Sequence, residues 1–121
     1  MAQYARSLLA GLCVALAAAP ASAAPQAQSA LECSIAADMA VVAKSLAAEK
    51  IARAKADTIM ERIYQVSGSP RGHELMKEIL DAAYALSTAA SGGTAQHFAE
   101  SLFATCLQSG GNMDDVLGQR L

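Results

Sequence analysis

The chain has 121 residues, with nine basic against eleven acidic side chains, a net charge of −2 and 4% aromatic residues. That balance excludes a nucleic-acid surface, which needs a basic stripe. The lack of Trp argues against base or sugar stacking, and the length is that of one small domain.

The N-terminus reads as an export signal. Met1–Arg6 carries one positive charge, Leu8–Ala19 is an uncharged apolar run, Pro20 breaks it, and Ala21-Ser22-Ala23 offers small residues to a signal peptidase. Cleavage is expected after Ala23, because a cut after Ala24 would leave Pro25 directly behind it. A lipoprotein is disfavoured by Leu12 before Cys13 and by the short apolar run that precedes it. An uncleaved anchor needs roughly 20 strongly apolar residues, more than this alanine-rich run provides. The expected organisation is a signal peptide at 1–23, a flexible leader at 24–29 and a single helical domain at 30–121. Loss of the signal removes only Arg6, leaving eight basic against eleven acidic residues and a net charge of −3.

From Leu31 onward, apolar residues recur at Leu31, Ile35, Met39, Val42 and Leu46, the spacing of one helical face. Ser29 is placed to cap that helix. Residues 47–56 contain no Gly or Pro, so local propensity runs straight on into a second stripe at Ile51, Ile59, Ile63 and Val66. Ser67-Gly68-Ser69-Pro70 is a stop and restart, with Gly68 ending one helix, Ser69 capping the next and Pro70 at its first position. A third face holds Leu75, Ile79, Ala83 and Leu86 and ends at Ser91-Gly92-Gly93. Thr94 then caps a fourth helix bearing Phe98, Leu102, Phe103, Cys106 and Leu107, closed by Gly110-Gly111. Asn112 opens a short tail in which Met113, Val116, Leu117 and Leu121 share one side. That tail either docks on the bundle or is kept for a partner. No segment alternates as a strand does, so the fold class is all-α: a small antiparallel bundle of about four helices plus a short C-terminal helical tail.

Cys13 leaves with the signal, and an even pair, Cys33 and Cys106, remains in an exported protein, where a disulfide is the default. The pairing bears on the uncertain region around residue 50. In an up-down-up-down bundle the start of helix one and the end of helix four share an end. A single straight helix over 31–66 would put the two cysteines at opposite ends, beyond the ~7 Å Cα separation that a disulfide tolerates. A break at residues 48–53 is therefore expected against local propensity.

The residues that could carry chemistry have plainer explanations. Glu74 and Glu78 flank Lys77 on a solvated face, and His97 with Glu100 lacks the further carboxylates of a di-metal bundle site. Methionines at helical spacing fill cores more often than they ligate haem. Gly68-Ser69-Pro70-Arg71-Gly72 departs from the Gly-x-Ser-x-Gly of a nucleophile elbow. The cysteines lack Cys-x-x-Cys proximity. No enzyme, no cofactor and no metal site is expected.

The sequence points to a periplasmic or secreted protein that acts non-enzymatically by binding another envelope or exported protein, as inhibitor, immunity factor, chaperone or adaptor. The alternative is a small-molecule, haem or metal carrier in the periplasm. No nucleic acid is expected as a partner, nor stable membrane insertion after signal cleavage. The plan of an exported helical domain with one long-range disulfide is similar to periplasmic acid-stress chaperones and to some periplasmic immunity proteins of secretion systems. It carries no functional residue over from either.

Overall fold

The structure, a computed structural model, describes residues 26–86 and 93–118. The expected signal peptide and cleavage site, Ser91-Gly92 and Leu121 lie outside the described residues. The fold is all-α, with helices α1 (Ala30–Ala48), α2 (Arg53–Tyr64), α3 (Pro70–Leu86), α4 (Ala95–Gln108) and α5 (Asp114–Leu117).

Three of the helix starts are set by the residues that the sequence marks. Ser29 Oγ accepts from Glu32 N–H (3.2 Å), Ser69 Oγ from Gly72 N–H (3.1 Å) and Thr94 Oγ1 from His97 N–H (3.0 Å). Each satisfies a backbone donor that the first helical turn leaves without a partner. At the start of α1, Glu32 also reaches back to accept from Gln28 N–H (2.8 Å). The end of α2 differs from expectation. Gly68 does not stop it. The chain turns earlier at Gln65, which takes the left-handed conformation (φ 52°) while its N–H bonds Glu61 C=O.

The expected break is present. Helix α1 ends at Ala48, Lys50 adopts a left-handed φ of 59°, and α2 starts at Arg53. The turn is closed by Ile51 N–H bonding Leu46 C=O (3.0 Å) and held from outside by the Tyr84 hydroxyl, which donates to Ile51 C=O (2.6 Å). A tertiary bond from the end of α3 thus overrides a local sequence with no breaker of its own.

Cross-links confirm the alternation of helix direction. Arg71 at the start of α3 pairs with Glu32 at the start of α1, while Arg53 at the start of α2 reaches Asp81 late in α3. Cys33 and Cys106 are disulfide-bonded with their Cα atoms 5.6 Å apart, joining the first turn of α1 to the last turn of α4. These two helices form the most extensive contact of the fold, and α5 packs beneath α3 and α4.

The core is built largely from small residues. Helix α1 buries Cys33, Ala36, Met39, Ala40, Ala43 and Ala47. This corrects the expected face: Met39 is inside, but Leu31 is 69% exposed and Ile35 39%. Alanines let the α1 and α4 axes approach closely, so the buried side of α1 is its alanine side and the branched aliphatics at its start are turned out. The same correction applies to Ile63, Phe103 and Leu107, each expected on a packed face and each exposed. The larger buried side chains come from the helices packed around α1: Met60 from α2, Met76, Ile79 and Leu80 from α3, and Leu102 from α4.

The leader is also different from expectation over its last residues. Ala27 is buried, its N–H bonds Gly111 C=O (2.8 Å), and Gln26 forms an antiparallel bridge with Asn112. Gly111 makes this possible, since its φ is 97° and a Cβ there would run into the Ala27 carbonyl. Polar composition suggested mobility, but a glycine 84 positions away supplies the docking groove.

Candidate functional site

Chemistry-bearing side chains are mostly occupied with one another. Arg53 bridges α2 and α3, donating from Nε to Asp57 (3.0 Å) and from Nη1 to Asp81 (2.7 Å) over the face of Tyr84. His73 Nε2 lies 2.9 Å from Glu61 Oε2, and Glu100 accepts from Gln96 rather than sharing a ligand with His97. Among the described residues no group of three or more His, Cys, Asp or Glu side chains gathers as a metal site would require.

The tail residues singled out from sequence are placed as follows. Met113 and Leu117 are fully buried, and Val116 packs partly against the same core. Met113 and Leu117 are buried where α5 packs against α3 and α4. Leu121 lies outside the described residues. Asn112 Oδ1 accepts from Asp114 N–H (2.8 Å), which starts the last helical turn.

What remains available is the outer surface at the disulfide end. Among the described residues the large apolar side chains left exposed are Leu31, Ile35, Ile63, Phe103 and Leu107. All five lie in the halves of α1, α2 and α4 nearest the Cys33–Cys106 bond. Scattered single exposed leucines are ordinary, but here all five gather at one end of the bundle.

At this end, between α1, the end of α2 and the start of α3, Ile35 and Ile63 border a groove of about 600 Å³. Ile35, Met39, Ile63, Val66 and Leu75 supply its apolar lining, and left-handed Gln65 forms part of its wall. Its polar rim is Glu32 with Arg71 on one side and Asp38 with Tyr64 on the other. The Arg71 guanidinium, then the Gln28 N–H, hold the Glu32 carboxyl below its ordinary range. Burial, reinforced by the Asp38 carboxylate that accepts its hydroxyl at 2.6 Å, holds the Tyr64 phenol well above its own. A second, shallower depression runs along α1 and α4, lined by Val41, Ala99 and Phe103. Ser34 and Asp38 line both, so they form the ridge between them.

Sequence reasoning missed this site because its residues come from three helices and its apolar members look like core. The signal that marks it is compositional: α1 is apolar nearly all round, so one of its apolar sides has to stay outside. The disulfide is compatible with an exported protein, and no helix among the described residues is long and apolar enough to cross a membrane. Compared with known proteins, the chain matches no family model, no curated protein and no solved structure.

Proposed function

We propose that this is an exported protein of the periplasm or the secreted space that works without catalysis, by binding another protein through its disulfide end. The observation that carries the reading is the confinement of Leu31, Ile35, Ile63, Phe103 and Leu107 to that end while small alanines fill the adjoining core. Large exposed apolar side chains gathered at one end of a small domain favour a contact surface, and the polar rim around the groove has the anatomy of an interface. The bonds at Arg53, His73 and Glu100 favour a structural use of those side chains over chemistry at them.

Affinity capture tests the reading. The purified protein is displayed with a photo-crosslinker at Ile63, exposed to an extract of its own cell envelope, and compared with a display bearing Ile35→Ser and Ile63→Ser. The expected outcome is one recurrent adduct that the doubly substituted protein loses. Repeated captures without a recurrent adduct overturn the proposal.

The carrier reading has one observation in its favour, the groove volume of about 600 Å³, which is within the range of small-molecule pockets. Native mass spectrometry of the protein purified from its own compartment separates the two, since a carrier retains a bound mass and a protein-binding domain flies empty.

A further inference from the structure

Charge is distributed unevenly between the two ends of the bundle. When each helix is divided at its midpoint, the disulfide half holds six carboxylates against three Lys and Arg side chains among the described residues, with Glu78 at the midpoint of α3 itself. The far half holds four of each. The acidic surplus of the described fold thus sits at the end that carries the exposed apolar side chains. Within the groove Arg71 is paired with Glu32, whereas Asp38 accepts the Tyr64 hydroxyl and has no Lys or Arg paired with it among the described residues. Asp38 is also on the α1 ridge, within reach of a chain lying in either depression.

We infer that the groove between α1, α2 and α3 takes a cationic amphipathic segment of the partner protein, its aliphatic side chains on Ile35, Ile63 and Leu75 and a Lys or Arg on Asp38. The inference rests on the protein-binding reading above and adds the chemistry of the partner. Two other occupants are disfavoured by the same charges. A two-fold dimer through this end would set one acidic surplus against another. An anionic bilayer surface would be repelled by it.

The experiment uses a synthetic helix-forming peptide with leucines on one face and lysines on the other, and a counterpart in which every lysine is glutamate. Both are titrated into purified protein labelled at isoleucine methyl groups and followed by NMR. The expected result is saturable movement of the Ile35 and Ile63 methyl signals with the lysine peptide. Its affinity should exceed that of the glutamate peptide at least about tenfold and weaken as salt is added. Asp38→Asn should lose several-fold in affinity with little change in Tm, and Ile63→Ser should abolish the movement. Equal binding of both peptides overturns the inference. So does movement confined to other isoleucines, a dimer in sedimentation that Ile63→Ser dissolves, or binding to phosphatidylglycerol vesicles that exceeds binding to the lysine peptide.

Failure here is distinguishable from failure of the function. A recurrent partner whose crosslinks map away from α1 and α2 removes this inference and leaves the protein-binding reading standing. Captures that yield no adduct while the groove takes the lysine peptide overturn the protein-binding reading, and with it the partner, and leave only the groove's preference for cationic chains.

Discussion

Gly111 is the residue whose replacement should be felt most for its size. Its φ of 97° belongs to a region that L side chains rarely adopt, and a Cβ would collide with the carbonyl of Ala27. Relieving the clash means releasing residues 26–27 from the α4–α5 loop and losing the 2.8 Å bond between them. Gly111→Ala is expected to cost about 2–4 kcal/mol of unfolding free energy, the sum of strain and a lost buried bond. Gly110 has φ 63° but open space around it, so Gly110→Ala should cost only the left-handed penalty, about 1 kcal/mol. Urea melts of the two variants check the ranking, and amide exchange at Ala27 reports whether the strap has come loose.

Glu32 supplies a residue-scale pH dependence. Arg71 and the Gln28 N–H depress its carboxyl pKa from 4.5. A group depressed on folding stabilises the native state above its unfolded value, and that contribution fades as pH falls through the folded value. The difference in Tm between the parent and Glu32→Gln should therefore be steady near neutrality and close in acid, below about pH 4.5. A gap that stays constant from neutrality into strong acid would show that Glu32 contributes packing rather than charge.

At the scale of the element, the turn between α1 and α2 shows how a helix is broken without a breaker. Lys50 pays the cost of a left-handed backbone, and Tyr84 holds the turn by its bond to Ile51 C=O. Lys50→Gly should stabilise the protein by about 0.5–1 kcal/mol, because glycine adopts this conformation without penalty. Tyr84→Phe should destabilise it by about 1 kcal/mol through the unsatisfied carbonyl. Both shifts are read in denaturant midpoints. If Lys50→Gly instead destabilises, the turn is not under strain and the break has another origin.

The same turn marks the boundary of what is legible in the chain. Caps at Ser29, Ser69 and Thr94 are local chemistry and can be read directly. The break near residue 50 could be read only through Cys33 and Cys106, two residues whose covalent tie fixes which ends meet. The buried face of α1 could not be read, because apolar residues surround the helix and the choice between its alanine side and its Leu31–Ile35 side depends on how closely α4 approaches. The groove inherits that uncertainty, since it consists of the side that was not chosen. The docked strap at Ala27 was hidden for a related reason: its partner, Gly111, reads as an ordinary helix terminator.

For the whole molecule, the alanine core determines how much the disulfide matters. An alanine buries less than half the apolar surface of a leucine, so the α1–α4 seam gains correspondingly less from burial, at about 25 cal/mol per Å². The bond between Cys33 and Cys106 closes a loop of 73 residue steps across that seam. On the chain-entropy account this removes about 4 kcal/mol worth of freedom from the unfolded state, a large share of the 5–15 kcal/mol typical of a small domain. The variant with Cys33→Ser and Cys106→Ser is expected to lose about that amount and to melt below the single-site variants discussed above. With both cysteines buried, at 2% and 0% exposure, reduction of the native protein requires the seam to open. The rate of thiol release in dithiothreitol should then level off with reductant concentration at the opening rate, and Gly111→Ala should raise that plateau by releasing the strap beside the bond. A reduction rate that stays proportional to dithiothreitol throughout, unchanged by Gly111→Ala, would show instead that the bond is reached from the crevice lined by Ala30, Leu107 and Gly110 without any opening of the helices.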